Sequence, residues 1–574
     1  MLPLLLVLAA EPIDVDRSGL PDLASTGSIS DDLSELPLSD EDFALIEELG
    51  TSSIAAPTLP SFRLSRDWIE HLESLSARVE QAGFDVLSLR GRRGSAVAWT
   101  LDGLSIVSPL DSVQRTSFAA LGDPSAVGDA KLELGSPRGT IALDSDRPRA
   151  GLRAGAAIVG RSADRSGGAL VAVEGGNDDL RAILRGAYTA ANDLRLGAGR
   201  LLPSSEKRSV ASSRLVLLDE SRPIDVMLGG DFVRVSDRGA PENSGGGTED
   251  LMRGRAGLVL RVHRGLEGFV TLGWTGDRRD SSEAADQLEL ASELGRTFDS
   301  ISIGLDLRGV TASAKLLEGA SGLHGGSRRF AARGRAELEA GPLVLRTRVG
   351  AEAGEVNIAE RSVALALSPL LELGVEARAF DPLVFGLEYA RDHGLPTVAD
   401  LAGTDVATAE SSELARLWAR LELGALALEA DGFLGFHDDA LLRGPTTVAH
   451  VELRGAHVRL KASPGRFRVV MHAEVVAAGD GVRELAARFS VAFLLSPVPD
   501  GECVEAFGRV ASGVTREVSG SWAAFGARAR LSLGAGFMAS AEVRNALDAG
   551  LFEQPIDAPL TGLDFLAALA YTTP

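Results

Sequence analysis

The sequence predicts an all-β membrane protein: a large antiparallel transmembrane β-barrel of about 22 strands enclosing a small N-terminal domain. Three observations lead there. From about residue 150 onward, apolar and polar residues alternate with a period of two, as in Phe330, Ala332, Gly334, Ala336 and Leu338 against Arg329, Arg333, Arg335, Glu337 and Glu339. Such alternation gives each strand one apolar and one polar face. Many apolar-phase positions are Ala or Gly, too small to fill a thick soluble core, while the polar phase carries Arg and Glu able to pair across strands inside a lumen. The 424 residues from 151 onward, divided over about 22 strands, leave about 19 per strand and connection, and crossing a membrane takes ~9–11. A soluble sandwich or propeller would also satisfy alternating strands, but no fixed repeat of about 40 residues is present.

Residues 1–10 (MLPLLLVLAA) have the apolar core and small-residue end of a signal peptide, without its basic start. Residues 11–60 are acidic and rich in Ser, Asp and Pro, a linker composition with one short helix expected at Glu41–Leu49. Arg66–Gln81 reads as a helix capped by Ser65, with Trp68, Leu72, Leu75 and Val79 on one face. Asp85–Asp146 is a glycine-punctuated β unit. Strands are expected at Val86–Leu89, Ala96–Leu101, Lys131–Leu134 and Thr140–Leu143. Turns are expected at Arg90–Gly94 and at Asp102-Gly103, where Gly91, Gly94 and Gly103 remove a Cβ clash. No helix long enough to cover this unit accompanies it, so something else has to enclose it.

Beyond it, alternation recurs at Leu343–Val349 after the Ala340-Gly341-Pro342 turn, at Leu417–Leu423, at Leu485–Phe493 and at Ala523–Leu533. Short turns are expected to alternate with longer polar loops such as Ser236–Glu249 and Asp277–Asp286.

In order along the chain, Arg90-Gly91, Leu101-Asp102-Gly103-Leu104, Gly128 and Gly139–Leu143 resemble the plug domain of TonB-dependent outer-membrane receptors. Tyr389, Arg391 and Pro396, followed by Glu413–Phe436, resemble a strand, loop and strand pair of the same family. Asn545, Leu547 and Asp548 match its turn before the last strand, and Phe565, Ala567, Leu569 and Tyr571 form that strand's outward phase. The resemblance spans residues 61–571. It implies a signal peptide at 1–10, a flexible segment at 11–60, an α/β plug at 61–147 and a barrel at 148–574.

Implied too are a latch in which Arg90, Arg92 and Arg93 pair with acids of the wall, and an energy-coupling peptide at Ile13, Asp14, Val15 and Asp16. The partners implied are outer-membrane lipid, the barrel assembly machinery, the TonB energy-coupling protein and a scarce solute of the siderophore, cobalamin or oligosaccharide class. Departures from the family are the poor coupling peptide, the Thr-Thr-Pro extension past Tyr571, and only 3 Tyr and 5 Trp for interfacial girdles, which leaves that work to 20 Phe. They motivate an alternative, a passive or structural barrel without energised transport.

A net charge of −22 argues against nucleic acid as a partner. The single cysteine, Cys503, excludes an intrachain disulfide framework. Zinc-hydrolase, nucleophile-elbow and P-loop motifs are absent from the sequence, so no enzyme, cofactor or resident metal is expected. His437 with Asp438-Asp439 reads as a solvated loop, and Gly245–Gly247 as a polar loop rather than a phosphate cradle.

Overall fold

A computed structural model describes residues 51–55, 79–81, 87–89, 92–93, 98–111, 127–133, 137, 140–145 and 147–573, apart from 196–200, 203–204, 219–223, 240–247, 263–265, 281, 319–320, 381, 404–407, 441–447, 463–466, 479–486, 498–502, 515–518 and 547–562. Within it, 22 strands from Arg153–Arg161 to Asp564–Thr572 pair with their sequence neighbours and close into one antiparallel barrel. Closure satisfies every strand edge, which a sheet crossing a bilayer requires.

The seam is made by Leu566 to Thr572 running antiparallel to Arg161 to Gly155. The extension past Tyr571 continues this ladder: Thr573 N donates to Ala154 O (2.8 Å), and Ala154 N donates back to Thr573 Oγ1 (2.9 Å). At the other end of the seam, Arg161 and Asp564 form a fully buried ion pair at 2.5 Å.

The two phases separate as alternation requires. Outward stand exposed apolar side chains, among them Leu272, Leu290, Leu305, Phe330 and Val349, with Gly334 exposed between them. Inward stand cross-strand ion pairs: Arg329–Glu352 at 2.5 Å, Arg346–Glu337 at 2.6 Å, Arg348–Glu372 at 3.1 Å and Arg416–Glu388 at 2.9 Å. An apolar exterior around a charged interior is the reverse of a soluble core, and it is the pattern of a barrel solvated by lipid.

Connections at one end of the barrel are short, none longer than 218–223. At the opposite end, 395–409 and 545–563 are much longer. One expected loop, Asp277–Asp286, is mostly strand, and Ser236–Glu249 is strand at its two ends, with 240–247 outside the described residues. Gly239 pairs with Thr248 and Arg238 with Glu249, and Asp277–Arg279 pair with Glu283–Ala285, so Asp277–Asp286 is a tight hairpin turning at Asp280 (φ 50°). Strands of 13 and 16 residues, as here, outrun the ~9–11 that crossing a bilayer takes, and beyond it their outward phase turns polar while the backbone still pairs. Polarity alone therefore imitates a loop.

Inside the barrel lies a five-stranded sheet in the order Thr51–Ala55, Val127–Glu133, Thr140–Ser145, Ala98–Leu101, Leu104–Ser105. Ala98–Leu101 runs parallel to Thr140–Leu143, and Trp99, Leu101, Ile141 and Leu143 are buried. Val79–Gln81 is not the end of a helix: it is a strand paired with Leu87–Leu89, which in turn pairs with Arg92–Arg93. Tertiary pairing overrides the helical spacing there. Residues 66–78 and 41–49 lie outside the described residues.

Candidate functional site

Among the described residues, the inner domain meets the barrel wall along the ribbon 101–111 and at Ser145. The ribbon's hairpin turns at Asp102 (φ 53°) and Gly103 (φ 82°), the left-handed pair of a type I′ turn. Asp102 braces the sheet from within: Ser145 N (2.9 Å) and Ser145 Oγ (2.5 Å) donate to its carboxylate. From the wall, Arg214 Nε donates to Ser145 Oγ at 3.1 Å while its guanidinium pairs with Asp231 at 2.9 Å.

Gly103 lies against Phe269, whose ring would stand 2.9 Å from a Cβ at that position. Leu104 fills a notch in the wall made by Gly257 and Gly273, which pair across adjacent strands. A Cβ at 273 would come within 2.1 Å of Leu104 Cδ1. Ser105 N then donates to Glu289 at 2.8 Å.

The apex of the ribbon is the turn Ser108-Pro109-Leu110-Asp111. Asp111 N donates to Ser108 O (2.9 Å), Ser108 N donates to Asp111 Oδ2 (2.8 Å), and Leu110 N donates to Ser108 Oγ (3.1 Å). Asp111 is 1% exposed, and two wall arginines close on it. Arg279 forms a short charge-assisted bond to Asp111 Oδ1 and donates to Leu110 O at 2.7 Å; Arg253 stands 3.6 Å from Asp111 Oδ2 and donates to Ile106 O at 3.3 Å. Asp277 completes the cluster, 2.7 Å from Arg253 and 3.6 Å from Arg279. Two cations and two anions balance, the condition under which charges survive burial.

From the long-connection end, a short helix folds down onto the same apex. Val398–Gly403 is started by Thr397, whose Oγ1 accepts from Asp400 N (3.0 Å) while Asp400 Oδ2 accepts from Thr397 N (3.2 Å), a reciprocal cap. Thr397 Oγ1 also donates to Asp111 O at 2.5 Å, and Ala399 N donates to Pro109 O at 3.0 Å. Val398 and Leu401 bury with Leu110, Leu316, Val356 and Ile358 in one apolar cluster. Gly325 and Gly354 seat this segment, since a Cβ at either would lie 2.6 Å from Val398 Cγ1 or Leu395 Cδ1.

Of the residues singled out in the sequence, the structure brings Asp102 and Gly103 to the wall. Arg92 and Arg93 form a two-residue strand; Arg90, Gly91, Gly94 and Ile13 to Asp16 lie outside the described residues. The ion pairs seen between inner domain and wall run with the opposite polarity, the acid on the inner domain and the arginines on the wall. Sequence reasoning missed Asp111, Arg253, Arg279 and helix 398–403. Its one available signal was the Ser-x-x-Asp spacing of 108–111, a self-bonding turn.

At the C-terminus, Asn545 is buried in a left-handed conformation (φ 45°), Phe565 is exposed, and Tyr571 packs against Phe537 with ring centroids 4.8 Å apart. Leu547 and Asp548 lie outside the described residues, as does Gly245–Gly247. His437 and Asp438 are strand, not loop, and face opposite sides: His437 is buried 2.9 Å from Ser412 Oγ, while exposed Asp438 pairs with His450 at 2.8 Å. They cannot share an ion. Among the described residues there is no group of three or more His, Cys, Asp or Glu placed to hold a metal.

No family model matches the chain, and no curated protein matches it. Solved structures do. The copper transporter OprC aligns over 92% of this chain and 99% of its own at 13% identity, with a TM-score of 0.75. The FrpB iron transporter from Neisseria meningitidis (F3-3 variant) aligns over 88% and 96% at 11% identity and TM-score 0.74. The siderophore receptor PirA from Pseudomonas aeruginosa aligns over 92% and 100% at 11% identity and TM-score 0.71. A closed barrel, an inner sheet held against its wall and an apolar exterior define a transmembrane β-barrel with a domain inside it. Its fold is that of the TonB-dependent outer-membrane receptors, here in a divergent sequence.

Proposed function

We propose that the protein is an outer-membrane transporter that takes up a scarce solute and is gated by its plug, residues 61–147, inside the barrel 148–574. The observation that carries this reading is the apex turn 108–111, held at once by two wall arginines and by a helix from the outer connections. Charged contacts at this turn are ones that a pulling force can break and that can re-form, and they stand beside the apolar seats of Leu104 and Leu110. The iron transporter, copper transporter and siderophore receptor that share the fold support a metal ion or metal chelate as cargo, with cobalamin and oligosaccharides as the further classes. Energy would arrive through the TonB protein at Ile13–Asp16, and Arg90, Arg92 and Arg93 would add latch contacts to those of Asp111.

The test is uptake of iron, copper, siderophore, cobalamin and oligosaccharide probes by cells carrying the full chain or one lacking residues 13–16. Accumulation of one class, lost on deletion, supports energised transport. A second reading, a passive or structural barrel, is favoured by the poor likeness of Ile13–Asp16 to a coupling peptide. Uptake of no class, with the barrel present in the outer membrane, would decide for it.

A further inference from the structure

The outer face of the barrel, away from the plug, carries a groove of about 570 Å³ lined by Trp274, Leu288, Thr311, Ser313, His324, Arg328, Glu355 and Asn357. It lies near the tight hairpin ends 280–282, 319–320 and 359–360, at the end of the barrel that bears helix 398–403. Register places its floor on one ladder: Trp274 opposes Leu288, Leu288 opposes Thr311, Thr311 opposes Arg328, and Arg328 opposes Glu355.

Two features set it apart from an ordinary solvated wall. The first is a platform. The six-membered ring of Trp274 lies over Gly254 and Gly276, where a Cβ at 276 would stand 2.5 Å from Trp274 Cζ2 and one at 254 would stand 3.5 Å from Cζ3. Glycine at both positions lets the indole lie along the wall, and it remains 44% exposed.

The second is a ring of idle polar groups. Arg278 and Asp286 satisfy each other at 3.0 Å. The side chains of Thr311, Ser313, His324, Arg328, Glu355 and Asn357 have no partner among the described residues, and all six are exposed. Gly326, between Ser313 and Asn357, keeps the floor low.

An exposed aromatic face beside hydroxyl, amide, carboxylate and guanidinium groups of nearly balanced charge suits a saccharide. The ring stacks on the apolar face of the sugar, and donors and acceptors serve its hydroxyls. A simple anion site would concentrate positive charge instead. Down the same strands the outward residues turn apolar, at Leu272, Leu290 and Phe330. A ligand seated in the groove therefore continues onto the lipid belt.

We propose that this groove binds the saccharide head group of an outer-leaflet glycolipid, whose acyl chains lie along Leu272, Leu290 and Phe330. The proposal rests on the reading of the chain as an outer-membrane barrel. Arg328 and His324 would take a phosphate on the sugar where one is present.

The experiment uses the full chain refolded in detergent, with native mass spectrometry measuring binding of an acylated, phosphorylated glucosamine disaccharide. Phosphatidylglycerol and the deacylated disaccharide are the controls. The glycolipid should bind more tightly than either control. Trp274→Ala, and separately Arg328→Gln combined with Asn357→Ala, should each weaken it about tenfold, one decade of affinity, while the heat-resistant barrel band on a gel is kept. No glycolipid binding, unchanged affinity in both variants, equal binding of phosphatidylglycerol, or equal binding of the deacylated sugar would each overturn the proposal. A wild-type chain that gives no heat-resistant band in detergent would instead sink the barrel reading itself.

Discussion

Asp111 is where the inner domain depends most on single atoms. Its carboxylate faces Arg279 and Arg253, and its backbone carbonyl accepts from Thr397. Removing one partner of a buried ion cluster leaves an uncompensated charge, at about 3–5 kcal/mol. Asp111→Ala should therefore loosen the plug by an amount of that order, read as added ion conductance of the refolded barrel in planar bilayers. A variant as silent as wild type would show that the cluster is not a latch. The wall offers a contrast in its own arginines. Arg335 pairs with Glu293 and lies 3.7 Å from Asp306, whereas Arg333 has no ion pair among the described residues. Arg335→Gln should lower the thermal midpoint more than Arg333→Gln, and the reverse order would contradict the register.

At the scale of elements, close packing between inner domain and wall depends on glycines facing side chains. Leu104 occupies the Gly257–Gly273 notch, so Gly273→Val forces the ribbon out or the wall to bulge. Overpacking of that kind costs about 1–3 kcal/mol. The expected outcome is faster proteolysis of the inner domain with the barrel band intact; unchanged protection would show that Leu104 is not held there. Helix 398–403 is too short to persist by propensity and stands on its cap and its contacts with Leu110. Thr397→Ala removes the cap and the bond to Asp111 O together, for about 1 kcal/mol or more. Hydrogen exchange at Ala399 and Leu401 should quicken accordingly.

At the scale of the molecule, the decisive property is which phase of each strand meets lipid. Gly334 is exposed on the outer face, and Val349 O, the nearest atom to a Cβ built there, is 3.9 Å away, so steric room is not its constraint. Gly334→Arg should then cost about 2–4 kcal/mol if the site lies near the bilayer midplane, measured by refolding into detergent micelles or lipid vesicles. Wild type that reaches a heat-resistant β form in plain buffer would refute the lipid-facing assignment.

Two properties of this protein follow from the sequence alone. One is the strand periodicity: Phe330 to Leu338 against Arg329 to Glu339 assigns each residue to a face, because the pleat alternates by geometry. The other is the closing turn chemistry, as at Asp102-Gly103, where only residues tolerant of positive φ serve. Length then bounded the number of strands. What the sequence could not supply was register and long-range partnership. Nothing local says that Gly257 and Gly273 lie side by side under Leu104, or that Arg253 and Arg279, 26 residues apart, meet an aspartate far upstream. Asp277–Asp286 reads as a loop and is a paired hairpin, because polarity reports the solvent beside a strand and not the hydrogen bonds within it. Helix 398–403 escaped because six residues carry too little periodicity to register, and its stability comes from the apex it covers. Those contacts join residues distant in sequence, and only the closed barrel brings them within reach.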